Sequence, residues 1–256
     1  MIETMLGAQM YTVRQYTQTE QDYLESLKKV KAAGYHAVQL SGASPAIAPQ
    51  TVRHMLDDLE LIAASTHVAF DTMLAKTDEV IAEHEILNCR YIGTGSMPPQ
   101  YATSAQGFVN FANDANKVAS AFKKAGYQLV YHNHQFEFQR LNGKLGMDIL
   151  LEETNEDFQF EIDTYWVQTG GGDPRDWIRK VNGRMDVVHF KDMVIGTERN
   201  QMMAEIGEGN LNWAAIIRAC REIGVKWYLV EQDICQRDPF ESLAISLRYL
   251  HRMGIR

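Results

Sequence analysis

The sequence predicts one (β/α)8 barrel, and three observations carry that expectation. A unit made of an amphipathic helix, a glycine stop and a short β-rich run recurs along the chain. Eight apolar runs bounded by such signals alternate with eight helical segments, which implies parallel strand pairing. The length, 256 residues, is the usual size of one such barrel. An open doubly wound sheet is the competing arrangement, and eight repeats in this length favour the closed form.

The elements follow in order. The first strand is expected over residues 5–12, "MLGAQMYT". Helix 19–33 comes next, because Leu24, Leu27, Val30 and Ala33 recur at helical spacing and Gly34 stands where a left-handed cap would end it. "HAVQLSG" supplies the second strand, 37–42. Helix 49–64, strand 65–70, helix 77–88 and strand 90–94 continue the alternation. "VASAFKKAGYQLVYHNH" then repeats the whole unit, ending helix 104–125 and opening strand 127–134. Helix 146–154 precedes "FQFEIDT", the sixth strand at 158–164. "TGGGDP" at 169–174 is six residues long, so it reads as a loop and not as a domain boundary. Helix 174–182 leads to "DVVHFKD", the seventh strand at 186–191. "IIRACREIGVKWYLVEQD" closes helix 211–223 and opens strand 227–233, before the last helix at 239–253. No linker, composition shift or low-complexity stretch interrupts the series, so residues 1–256 read as one domain.

Composition excludes several classes. A hydrophobic fraction of 45% with 23% charged residues is that of a soluble globular protein with a sizeable core. No stretch approaches the ~20 apolar residues that span a bilayer. "MIETMLGAQMYTVR" lacks a basic segment followed by an apolar run, so a cytoplasmic protein is expected. Cys89, Cys220 and Cys235 are too few and too scattered for a disulfide framework or zinc knuckle. A net charge of -8 gives no general attraction to phosphate backbones, so nucleic acid is not an expected partner.

In such a barrel the reactive groups lie at the C-terminal ends of the strands. Polar residues there include Gln9 and Tyr11 on the first strand, Gln39 on the second, His67 on the third, and His132 and His134 on the fifth. Asp163 ends the sixth, His189 and Lys191 the seventh, Glu231 and Asp233 the eighth. Alternation along a strand puts each of these pairs on one face. Imidazoles and carboxylates converging from several strands suit one divalent ion such as Mn2+, Zn2+, Co2+ or Mg2+. The plainer alternative is a polar mouth whose groups satisfy one another without a metal.

The segments "LGAQMYTVR", "YHNHQFEF", "EIDTYWVQTGGGDPRDWI", "VVHFKDM", "EIGEGNLNW" and "VEQD" together resemble the sugar phosphate isomerase/epimerase family of xylose isomerase-like TIM barrels, in order over nearly the whole chain. The resemblance implies a single metal held by His132 (with His134 as the other fifth-strand candidate), Asp163, His189 and Glu231. It also implies a small sugar or polyol substrate, with self-association into a homo-oligomer left open. Well-known epimerases of the family carry a glutamate where His132 stands, and many relatives have a substrate-binding histidine where Trp166 stands. The histidine-rich fifth strand resembles instead the branch that includes inosose dehydratases.

The activity so implied is isomerisation or epimerisation through an enediolate. The alternatives are elimination from a keto-inositol or keto-sugar, and a sugar-binding barrel without chemistry. Glu231 is the first candidate for the base and His134 the second, with Lys191 steadying oxyanion charge. His67, Trp166, Tyr11 and Gln9 are candidate substrate contacts, with Phe136 and Phe138 extending an apolar wall. Glu137 is expected to anchor its loop or to orient a neighbouring histidine. A related DNA-repair endonuclease would need more metal ligands and a basic face, which the acidic charge opposes.

Overall fold

The computed structural model describes residues 5–256. Eight strands close into a parallel barrel in sequential order. They are β1 (Met5–Gln9), β2 (Ala37–Leu40), β3 (Ile62–His67), β4 (Tyr91–Thr94), β5 (Gln128–His132), β6 (Phe158–Asp163), β7 (Val187–Phe190) and β8 (Trp227–Val230). The ring closes where β1 pairs with β8, Met5 lying opposite Trp227 and Ala8 opposite Val230. Helices surround it. Three of the expected glycine stops adopt positive φ, 112° at Gly34, 91° at Gly126 and 77° at Gly224, a region closed to most side chains.

Apolar side chains separate into two bodies. The larger lies between strands and helices and includes Leu27, Leu56, Phe111, Phe122, Ile178, Ile217 and Leu247. The smaller fills the lower barrel with Ala37, Ala64, Tyr91, Val130, Val187, Trp227 and Leu229. That plug leaves the upper barrel to polar groups. No helix among the described residues is long and apolar enough to cross a membrane.

Several boundaries differ from expectation. The first strand stops at Gln9, not residue 12, because the Gln9 side chain accepts from the Tyr11 N–H at 3.1 Å and the chain enters a 3-10 turn, Met10–Tyr16. The second helix ends at Asp58, short of residue 64, since Glu60 takes a left-handed φ of 50° and β3 begins at Ile62. Strands five, seven and eight end at His132, Phe190 and Val230, so His134, Lys191, Glu231 and Asp233 occupy the turns just beyond. Two short helices, Phe70–Ala75 and Thr164–Thr169, were not expected. Neither was the hairpin formed by Asp192–Ile195 and Gln201–Ala204 after β7.

Candidate metal centre

Alternation on β5 to β8 brings a polar layer to the barrel axis above the apolar plug. On β3 the alternation slips. Pairing with β2 shifts register between Val38 and Gln39, so Ala64 faces the interior while Thr66 faces out and bonds buried His84 at 2.7 Å. His67 therefore points inward. Gly95 makes room for it, because a Cβ there would lie 2.9 Å from the His67 ring.

Ligand-type atoms of His132, Asp163, His189 and Glu231 all lie within 4.8 Å of one another, and all four residues are buried. His132 Nδ1 donates to the Gly95 carbonyl at 3.0 Å, which leaves Nε2 facing Asp163 Oδ2 at 3.1 Å and Glu231 Oε2 at 3.8 Å. His189 Nε2 points to Gln39 Oε1 at 2.5 Å, leaving Nδ1 facing Glu231 Oε2 at 3.0 Å and Asp163 Oδ2 at 3.8 Å. Each imidazole thus turns one nitrogen toward the same two carboxylates while the other is committed to an acceptor. That is how metal-binding histidines are usually held.

Charge points the same way. Asp163, Glu231 and Asp233 surround one fully buried ammonium, Lys191, which lies 3.1 Å from Asp163, 2.7 Å from Glu231 and 2.7 Å from Asp233. Unneutralised buried charge is costly. Burial alone would lower the His189 pKa, but Glu161 and Glu231 push it up to about 10, so its ring takes up a proton between them. Burial opposes ionisation of Glu231, yet Lys191 and His189 hold its pKa well below the usual carboxylate range. Asp163 is lowered despite burial, by Lys191 and His132. A set of two imidazoles and two ionised carboxylates that attracts extra positive charge fits a divalent cation of the Mn2+ or Zn2+ type.

Of the other expected residues, His134 lies past the strand, its ring 4.9 Å from that of His132 and 5.1 Å from that of Trp166. Its Nδ1 is buried without a hydrogen-bond partner, as is Trp166 Nε1. Burial, with His132 and Lys191 nearby, pushes the His134 pKa down to about 3. His67 Nε2 bonds Glu161 Oε2 at 2.7 Å. Gln9 is buried beneath, donating to Gln39 Oε1 at 2.8 Å. Tyr11 sits at the rim, 37% exposed under Arg14. Phe136 stacks beside His134, whereas Phe138 turns away and packs on Trp177. Glu137 accepts from the His134 backbone N–H at 2.9 Å and the Tyr131 hydroxyl at 2.6 Å. Glu161 was not among the residues singled out in the sequence, although counting back two from Asp163 reaches it.

Residues 27–253 match the family model of the xylose isomerase-like TIM barrel, and the chain belongs to that family. Among solved structures it is similar to a sugar phosphate isomerase/epimerase from Parabacteroides distasonis, at 24% identity and a TM-score of 0.83, over 100% of this chain and 96% of that one. An L-ribulose 3-epimerase matches at 19% identity and a TM-score of 0.72, over 98% of this chain and 94% of that one. A probable 3-DHS dehydratase of petrobactin synthesis from Bacillus anthracis matches at 14% identity and a TM-score of 0.74, over 97% of this chain and 99% of that one. These likenesses are of fold. No curated protein matches the sequence.

Proposed function

We propose that the chain is a divalent-metal-dependent isomerase or epimerase of a sugar or sugar phosphate, acting by proton abstraction next to a carbonyl through an enediolate. The observation that carries this reading is the convergence of His132, Asp163, His189 and Glu231 within 4.8 Å, with the remaining nitrogen of each imidazole already committed. The names of two solved relatives, an isomerase/epimerase and a ribulose epimerase, support it. A divalent ion held by these four residues would polarise a carbonyl and acidify the neighbouring C–H.

The chain's own groups supply the rest. Glu231 stands as the proton acceptor, and its basicity depends on Lys191, whose ammonium is shared equally with Asp233 at 2.7 Å. Lys191 turned toward a developing oxyanion both stabilises that charge and releases Glu231 to take the proton. His134, neutral and with an unpartnered Nδ1, is the second acceptor. Trp166 and the rim residue Tyr11 offer faces for a sugar ring.

A second reading, elimination from a keto-sugar or keto-inositol, is favoured by the imidazole of His132 at the end of β5. It needs an acid for the departing hydroxide, and His134 held neutral serves that role less well than an imidazolium would. Turnover of ketoses, their phosphates and keto-inositols with added Mn2+ in deuterated water separates these readings. The expected outcome is solvent deuterium at the carbon beside the carbonyl, and a fall of roughly a hundredfold or more in exchange for Glu231→Gln. An unsaturated product would move the assignment to elimination. Exchange unaffected by Glu231→Gln would move the base to His134, and binding without turnover or exchange would leave a sugar-binding barrel.

A further inference from the structure

Directly below the four converging donors lies Glu161, a fully buried carboxylate that the proposed chemistry does not use. We propose that Glu161 is a positioning residue: it fixes the tautomer and orientation of His189, and so presents Nδ1 to the cation. The inference rests on the metal-dependent reading.

It follows from the direction of one hydrogen-bonded chain. The backbone N–H of Tyr11 can only donate, and it donates to Gln9 Oε1 at 3.1 Å. Gln9 Nε2 must then be the donor to Gln39 Oε1 at 2.8 Å, and it faces His67 Nδ1 at 3.4 Å. At the other end both Glu161 oxygens meet donors, because Gln39 turns its Nε2 toward one and His67, whose Nδ1 faces Gln9 Nε2, keeps its hydrogen on the Nε2 that faces the other. Glu161 Oε1 takes Gln39 Nε2 at 2.9 Å and its Oε2 takes His67 Nε2 at 2.7 Å. His189 Nε2 meets two acceptors, Gln39 Oε1 at 2.5 Å and Glu161 Oε1 at 3.3 Å, and must therefore carry a hydrogen. The donor-only N–H at the Tyr11 end leaves a single consistent assignment, in which both Glu161 oxygens accept. Only Nδ1 of His189 keeps a lone pair once the ring is neutral, and that atom faces Glu231 and Asp163.

His67, Glu161 and His189 also bring ligand-type atoms within 4.8 Å. The same assignment argues against a second cation there, because both nitrogens aimed at Glu161 are donors. Glu161→Gln sets an NH2 donor against either His67 Nε2 or the Gln39 and His189 donors, so the network that holds His189 is no longer satisfied.

Mn2+ binding by titration calorimetry on the metal-free protein tests this, alongside melting without metal and the ring-nitrogen NMR spectrum of the Zn2+-loaded wild type. Glu161→Gln is expected to weaken Mn2+ binding roughly 10- to 100-fold, the usual effect of removing such a partner, with metal-free melting close to the wild type. In the wild type, the His189 signals, identified by their loss in His189→Gln, should show a protonated Nε2 and a metal-shifted Nδ1. This readout does not depend on the variant folding. Unchanged Mn2+ affinity in Glu161→Gln, or a His189 protonated on Nδ1 in the loaded protein, overturns the positioning role alone. Two equivalents in the wild type, one of them lost in Glu161→Gln, overturns it in favour of a second metal site. A wild type that binds no Mn2+ or Zn2+ removes the metal-dependent reading itself.

Discussion

Glu137 shows how burial converts an ordinary carboxylate into a titrating group at neutral pH. It sits fully buried under the turn that carries His134, and burial pushes its pKa up to about 8, against the opposing donation of the Tyr131 hydroxyl and backbone N–H groups. The folded state therefore holds its proton more tightly than the unfolded chain, where the pKa is about 4.3. Stability from that proton is fully present below the unfolded value and is lost as pH rises through about 8. A glutamine at this position stays neutral throughout. The melting temperature of Glu137→Gln minus that of the wild type should rise between about pH 4 and 8, the window set by these two pKa values. A flat or falling difference in calorimetric melting would show that the donors outweigh burial. The sequence offered Glu137 as a loop anchor, but its desolvation depends on Tyr131 and the packing below it, which no local pattern reveals.

At the level of elements, the end of β7 is where one residue step separates chemistry from architecture. Lys191 faces the axis and pairs with Asp163, while Asp192 faces outward. The Asp192 carboxylate accepts from the backbone N–H of Met193, Gly207, Gly209 and Leu211 and from Trp213 Nε1 at 2.6 Å. This explains the "GEG" segment. A Cβ on Gly209 would lie 2.3 Å from Asp192 Oδ1, and Gly207 combines a φ of 89° with contact against the Tyr249 ring. Asp192→Ala leaves several of these donors without a partner, a loss of roughly 3 kcal/mol. For a chain of this size that corresponds to melting about 6–12 °C lower. Amide hydrogen exchange should speed up first over residues 205–212, and unchanged protection there would mean that the loop is held by other contacts.

For the whole molecule, the polar upper barrel is a stability cost that a bound cation would relieve. An ion that binds only the folded state adds about 2.7 kcal/mol at a hundred times its dissociation constant. For this length that is a rise of about 5–10 °C. Scanning calorimetry should show such a rise on adding Mn2+, its reversal by a chelator, and its loss in His189→Ala, which should still melt cooperatively. A rise that survives in His189→Ala would place the ion elsewhere. The sequence by itself determined the barrel, because a helix, a glycine stop and an apolar strand are local patterns and eight of them in 256 residues close on themselves. It also offered His132, Asp163, His189 and Glu231 as ligand types, because strand ends are legible from where apolar runs stop. Only the tertiary structure decided which nitrogen of each histidine faces the carboxylates, that Lys191 is shared among three of them, and that Glu161 belongs to the same network. Those outcomes depend on distances between residues up to 150 positions apart, such as His189 and Gln39, and on the water that barrel closure excludes from between them.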